Sequence, residues 1–321
     1  MSPACEAGSP ILELLQSSAM HSAILNTAKF IIRDASSLSV PGQNIKDIRI
    51  DPRNNYEYIA KKPSHAGRYE AMTECVLNCI GERLGVHMAE HRLGICDGEL
   101  WFMSRNFLRP DEALVHGYEF LGQFFHEGYF EKLKKRSPEE RSFYSIRNVF
   151  DAFDAVYMTM GEKFIYPFSK MLFLDAIVGC QDRHPKNWGI IHSVKGKQRD
   201  RFAPVFDTAR ALFWNFSTTD DLRAMTPTKL RSYVRLSRPP LGDFQNRRIN
   251  HFDLIRQVLT KRPQLGEALS TMISSKKEEH IRELIEDGFG KHLPQVRRYK
   301  ILECLGMRFA HLRAILRDLG Q

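Results

Sequence analysis

A chain of 321 residues with 43% hydrophobic and 26% charged content has the make-up of an ordinary globular protein, either one large domain or two lobes around a sizeable core. Its 47 Lys+Arg against 38 Asp+Glu give +9, which suits an anionic partner (nucleotide, nucleic acid or phospholipid) without choosing among them, and a solvated basic surface accounts for it equally well. Cys5, Cys75, Cys79, Cys96, Cys180 and Cys304 contain no CxxC pair, which favours a reducing cytoplasmic setting. The longest apolar run, "MLFLDAIVGC", is about half the ~20 residues a bilayer requires and carries Asp175, so no transmembrane segment or signal peptide is expected.

In chain order, residues 1–24 read as an N-terminal arm. "FIIRDAS", "KDIRIDP" and "YEYIAKKP" then read as strands separated by Pro, Gly and Asn-rich turns. "RYEAMTECVLNCIGERLGV" follows, with Met72, Val76, Ile80 and Leu84 at four-residue spacing. That spacing predicts a helix ending near Gly85. Cys75 and Cys79 fall at i and i+4 of this helix, as core thiols do. "HMAEHRLGIC" and "ELWFMSRNFL" read as two further strands around Asp97-Gly98. After Pro110 helices are expected, with strand signals returning only at "NWGIIH" and "FAPVFD", a predicted hairpin; from Arg256 to the end the chain reads as helical. The expectation is an α+β, bilobal fold: a small β-rich N-lobe (25–108), a larger helical C-lobe (109–321) and a cleft between them.

The chemistry concentrates in "VGCQDRHPKNWGII", residues 178–191. Asp182 and Asn187 are five positions apart on a loop between an apolar helix and a strand. Phosphoryl transfer requires such a set: a carboxylate to accept the acceptor hydroxyl's proton and an amide oxygen to hold Mg²⁺ beside it. Asp207, at the end of "APVFD", is the further acid expected at the metal, whose hard oxygen ligands suit nucleotide-bound Mg²⁺. Arg183 reads as a brace that pairs with an acid, and His184 as a hydrogen-bonding strut; a zinc pair of His184 with His192 lacks the remaining ligands. In the N-lobe, Lys61 or Lys62 would meet the nucleotide phosphates, oriented by Glu70 or Glu74, with strand alternation placing Lys61 on the face of Ile59. "SSLSVPGQNIK" (36–46), with one glycine, Gly42, and a terminal Lys46, is the candidate phosphate-covering loop, although it has no GxGxxG.

"DRHPKNWGI" with "PVFDTARAL" resembles the HipA-like serine/threonine kinases, including their compact proinflammatory-kinase branch. "SVPGQNIK" is similar to the Ser-x-x-Gly…Gln…Lys loop of HipA toxins, and "IAKKP" with "MTECV" resembles their nucleotide lysine and helix glutamate. The resemblance implies ATP and Mg²⁺ as cofactors, Asp182 as catalytic base, Asn187 and Asp207 as metal ligands, and Lys61 with Glu74 as the phosphate-binding pair. It also implies Ser39, Gly42 and Lys46 in the phosphate loop, with Ser39 (or Ser37) an inhibitory autophosphorylation site, since a phosphate there adds a dianion where ATP phosphates sit. Three departures stand out: Asp207 is followed by Thr208 and Ala209, where relatives often carry glycine at the second place, Cys180 stands where many carry Asn, and Pro41 lies in the loop.

The resulting expectation is a cytoplasmic protein kinase with a protein substrate and, as for toxin–antitoxin relatives, a small DNA-binding antitoxin as partner, without direct nucleic-acid binding of its own. Two alternatives differ in class. A phosphoinositide-type kinase would use Lys229, Arg231, Arg235 and Arg238 against an inositol phosphate. A non-catalytic interaction protein would keep the fold and lose ATP binding.

Overall fold

A computed structural model of the protein describes residues 24–34, 46–63, 69–125, 143–196, 198–216 and 218–321. The arm assigned to residues 1–24 lies outside these except for Ile24, which opens the first strand, and the loop residues Ser37, Ser39, Pro41 and Gly42 lie outside them altogether.

Strands β1 (Ile24–Asn26), β2 (Ile31–Asp34), β3 (Lys46–Asp51), β4 (Tyr56–Lys61), β5 (His91–Cys96) and β6 (Glu99–Arg105) form one sheet in the order β1-β5-β6-β4-β3-β2. Only β1 is parallel to its neighbour, β5; the other pairs are antiparallel. Asp97 and Gly98 close the β5–β6 hairpin with φ of +53° and +80°, the left-handed pair that a two-residue turn requires.

Both faces of the sheet are covered. Phe30, Tyr58, Ala60, Cys96, Trp101 and Met103 form a small separate core on one face. Helix α1 (Glu70–Arg83) covers the other, burying Met72, Val76 and Ile80 in a cluster that includes Leu93 and Phe102. In β4, Tyr58 and Ala60 belong to the small core while Lys61 pairs across to Phe102, on the α1 side. Ile59 shares that side but is only half-buried, so the face of Lys61 is set by α1 and not by the sheet's apolar core.

The chain after Pro110 is not purely helical. Residues Glu112–His116 form β7, antiparallel to β8 (Gly189–Ser193), which pairs in turn with the short β9 (Arg201–Phe202). The sequence expectation missed β7 because "EALVH" has no turn signal after it and runs directly into helix α2 (Gly117–Phe124). The hairpin's second strand is also shorter than expected: Val205 leaves β9 to bridge Met88, which ties the strand's continuation to the segment after α1.

The remaining α-helices among the described residues are α3 (Ile146–Tyr157), α4 (Glu162–Val178), α5 (Thr219–Arg223), α6 (Pro227–Leu236), α7 (His251–Lys261), α8 (Gly266–Met272), α9 (Ser275–Glu283) and α10 (Gln295–Asp318). The apolar α4 is buried from Phe164 to Val178 on nearly every side, packed against α3, α7 and α10. Trp188 fills the space beside it with Phe120, Phe153, Phe168 and Phe202. Among the described residues no helix is long and apolar enough to cross a membrane.

Candidate active site

Helix α4 has to stop where the polar loop begins, and Gly179 makes that turn with φ +76°. A Cβ there would stand 2.5 Å from Nη2 of Arg308, which reaches in from α10 to donate to the Ala176 carbonyl at 2.8 Å. Arg308 is fully buried, and its bonds satisfy a helix-end carbonyl that would otherwise be buried without a partner.

The loop is braced by a second buried guanidinium. Arg183 donates to both Asp175 oxygens at 2.9 and 3.0 Å, and through Nη1 to the carbonyls of Asn187 and Phe206, both at 2.8 Å. One side chain therefore ties the end of α4, the far end of the loop and the residue before Asp207 into a fixed geometry. Burial opposes the charge of Arg183, but Asp175 outweighs it and the group stays cationic. Burial pushes the Asp175 carboxyl up despite that pairing.

The Cys180 thiol is hydrogen-bonded to the same Asp175, and its backbone N–H donates to the Asp175 carbonyl at 3.0 Å. Burial pushes this thiol up, so it stays a neutral donor. Cys180 is thus a further brace, which makes chemical sense of an apolar-sized residue at the root of the loop.

Asp182 stands at the tip with about a quarter of its side chain exposed; Arg210 Nε lies 3.3 Å from one oxygen and His184 Nε2 3.9 Å from the other. Asn187 donates from Nδ2 to the Asp182 carbonyl at 2.8 Å, which leaves its Oδ1 as the acceptor end. His184 is a strut, accepting from the Lys186 N–H at 3.2 Å. The Arg183 carbonyl accepts from Tyr144 Oη at 2.7 Å, and Tyr144 Oη accepts from Trp188 Nε1 at 3.0 Å, which anchors the loop to the aromatic core. His192 is remote from this set and pairs with Asp200.

Lys61 reaches the same region from the sheet. Its ammonium donates to Glu74 at 2.6 Å and to Asp207 at 2.8 Å, over the face of Phe102. Lys62 points away toward Glu99, and it is Glu74 that meets Lys61, while Glu70 sits a turn earlier on α1. Burial works against charging Lys61, yet Asp207 and Glu74 outweigh it and hold the ammonium above the usual lysine range. For Asp207, burial is likewise outweighed, here by Lys61 and Lys46, and its carboxyl stays well below the usual carboxylate range. Glu74 is pushed up, burial prevailing over Lys61. Lys46 approaches Asp207 to 4.0 Å from β3.

Asp207 itself has φ +55°, a left-handed backbone that a short polar residue tolerates and that re-aims its carboxylate. Thr208 behind it accepts from Asn78 Nδ2 at 3.1 Å, and the same amide donates to the Glu74 carbonyl, linking α1 to the Asp207 turn. Further on, Phe213 also has positive φ and is held by Tyr233 and by the buried Arg297. The supporting roles of Asn78, Asp175, Arg297 and Arg308 were not assigned from the sequence. Only Asp175, an acid inside an apolar run, left a local signal.

The structure thus gathers Lys46, Lys61, Glu74 and Asp207, and joins the Asp182–Asn187 loop to them through Arg183. Hard oxygens at Asn187 and Asp207 fit a magnesium ion, and the two lysines fit phosphate oxygens. An α+β fold in which a lysine-bearing sheet is joined to a braced, acid-bearing loop is the architecture of the protein-kinase-like folds.

The chain belongs to the HipA-like C-terminal domain family, whose pattern matches residues 27–287. It is 24% identical over 230 residues to the serine/threonine-protein kinase CtkA of Helicobacter pylori; the match takes in 65% of this chain and 63%, less than two thirds, of that protein. The fold is similar to the crystal structure of the Helicobacter pylori proinflammatory kinase CtkA (TM-score 0.74, 17% identity, 92% of this chain and 99% of that one). It is more distantly similar to Shewanella oneidensis HipA, solved with HipB and operator DNA (TM-score 0.51, 12% identity, 91% and 73%).

Proposed function

We propose that the protein is an ATP- and Mg²⁺-dependent serine/threonine kinase that transfers the γ-phosphate to a protein hydroxyl. The observation that carries this reading is the convergence of Lys61, Glu74 and Asp207 beside a loop that presents Asp182 and Asn187. Family membership and the fold shared with a kinase support it.

In this reading residues 25–108 form the nucleotide lobe, residues 109–321 the catalytic lobe, and ATP lies in the cleft between them. Lys61, oriented by Glu74, binds the α and β phosphates, with Lys46 and the Ser39–Gly42 loop covering them. Asn187 and Asp207 would hold magnesium, which supplies charge neutralisation of the phosphates. Asp182 orients the acceptor hydroxyl and takes its proton, while Arg210 holds the carboxylate until the acceptor arrives. Ser39 is the internal acceptor, whose phosphorylation blocks the phosphate site. The protein acts in the cytoplasm, and a small DNA-binding antitoxin is its proposed partner, by analogy with the HipA–HipB complex.

The deciding experiment incubates wild type and Asp182→Ala with γ-labelled ATP and Mg²⁺, with and without a generic protein acceptor. Label on the wild type or the acceptor, and none with Asp182→Ala, is expected; equal labelling of both would remove Asp182 from the mechanism. Ser39→Ala should lose autophosphorylation and keep acceptor labelling.

A further inference from the structure

Away from the phosphate-binding groups, on the sheet-facing side of α1, three soft ligands come together. Cys75 and Cys79, one helical turn apart, meet His91 from β5, and their ligand atoms all lie within 4.8 Å of one another. Cys79 Sγ and His91 Nε2 are 3.6 Å apart. A tetrahedral zinc with bonds of ~2.3 Å to sulfur and ~2.0–2.1 Å to nitrogen separates those two atoms by ~3.6 Å, so this edge of the site is already at metal-binding length. Cys75 and His91 are buried and Cys79 is partly buried. The other imidazole nitrogen, Nδ1, is buried without a hydrogen bond and has the Glu82 carboxylate 3.7 Å away.

We infer that Cys75, Cys79 and His91 form a zinc site, with His91 ligating through Nε2 and Glu82 placed to accept a hydrogen bond from Nδ1–H. Zinc is favoured over softer alternatives by charge: a dication, two thiolates and a neutral imidazole leave no net charge in a buried site, whereas a monovalent ion would leave one negative charge. A carboxylate behind a ligating histidine fixes its tautomer and orientation, which is the role Glu82 is positioned for. Binding would form two Zn–S bonds and one Zn–N bond in place of waters on the incoming ion, release the protons of both thiols to solvent and keep one water as the fourth ligand.

The placement gives the site a consequence for the rest of the molecule. Cys75 follows Glu74 directly, and His91 stacks on Phe102 at 5.7 Å, the ring over which the Lys61 ammonium sits. A bound ion cross-links α1 to β5 and so holds Glu74 against Lys61. The zinc site itself does not depend on the proposed kinase activity.

The test uses the full chain, reduced and stripped of metal with a chelator, and titrates it with Co²⁺ as a spectroscopic probe. One equivalent giving a thiolate-to-cobalt charge-transfer band and tetrahedral visible bands, both displaced by Zn²⁺, is expected; Asp182→Ala should behave identically. Cys79→Ser and His91→Gln should each lose the stoichiometric band. In the wild type, Zn²⁺ should also protect Cys75 and Cys79 from alkylation, read by mass spectrometry, and raise the apparent melting temperature. Absence of the sulfur band at stoichiometric cobalt, its survival in both variants, or alkylation of Cys75 and Cys79 unaffected by zinc would each overturn the assignment. The two wild-type measurements decide the matter even where a variant fails to fold.

Discussion

Lys61 and Asp207 lie 146 residues apart in the chain and are joined by a 2.8 Å hydrogen bond from ammonium to carboxylate. Because Lys61 is shared with Glu74, one cation serves two acids, and a nucleotide–metal complex would compete for both halves of the Lys61–Asp207 pair. Lys61→Met leaves two carboxylates in a buried setting and should cost roughly 3–5 kcal/mol. Asp207→Asn should cost less, because Lys61 keeps Glu74. Urea unfolding of both variants checks the order; a Lys61→Met variant no less stable than Asp207→Asn would contradict it.

The same pair separates metal from nucleotide. In Asp207→Asn, adding Mg²⁺ to an ATP titration should no longer increase the thermal shift beyond that of ATP alone, because the carboxylate proposed to hold the ion has gone while Lys61 remains. A magnesium-dependent increment equal to wild type would place the metal elsewhere.

Arg183 and Asp175 brace the loop from a fully buried position, so either one left alone is an uncompensated charge. Asp175→Asn should lose about 3–5 kcal/mol, whereas Asp175→Leu combined with Arg183→Met should cost less than the sum of the two single changes. The double variant should nonetheless lose activity, because the guanidinium also bonds the Asn187 and Phe206 carbonyls. A double-mutant cycle by denaturant unfolding, run beside the labelling assay, separates the two contributions.

These relationships explain what could and could not be read from the residues alone. The Asp182–Asn187 loop was legible because its groups are close in sequence and flanked by a long apolar helix and a β-branched strand. The helix stripe of α1 and the Asp97-Gly98 turn were legible for the same local reason. Strand alternation narrowed Lys61 against Lys62 but could not finish the choice, since both faces of the sheet are covered. What selects Lys61 is α1 and Asp207, contacts made only in three dimensions. The supports from α10 are still less visible: Arg297 and Arg308 look like surface residues on a basic helix, yet they are buried against carbonyls more than 70 residues away. Cys75 and Cys79 read as core thiols until β5 brings His91 beside them.

Gly179 is required twice, by its φ of +76° and by the approach of Arg308. Gly179→Ala adds about 1–2 kcal/mol of backbone strain and pushes the guanidinium off the Ala176 carbonyl. A melting temperature lowered by several degrees is expected, with activity falling further than stability alone explains because the displaced segment carries Asp182. Differential scanning calorimetry and the labelling assay check both; an unchanged melting temperature would remove the close approach from the account.

His251 sits at the other side of the loop's root, its imidazole bonded to the Cys180 backbone and its Nε2 buried without a partner. Burial, reinforced by Arg308, pushes it down to about 3, so it is neutral in the folded protein at any ordinary pH. In the unfolded chain it titrates near ~6.5. Between those values the unfolded state binds the extra proton, so the contribution of His251 is complete above the unfolded value. It is lost as pH falls toward 3, at up to ~1.4 kcal/mol per pH unit. Glu112, held down to about 2 chiefly by its hydrogen bonds from Arg201, adds its own loss only below the ordinary carboxylate range. His116 and His292, also lowered by burial, titrate in the same range, so it is the difference between two proteins in urea unfolding at pH 7, 6 and 5 that isolates His251: wild type should lose on the order of 2 kcal/mol more than His251→Gln across that interval. Parallel pH profiles for the two proteins would mean that His251 does not hold a neutral, buried position against the loop.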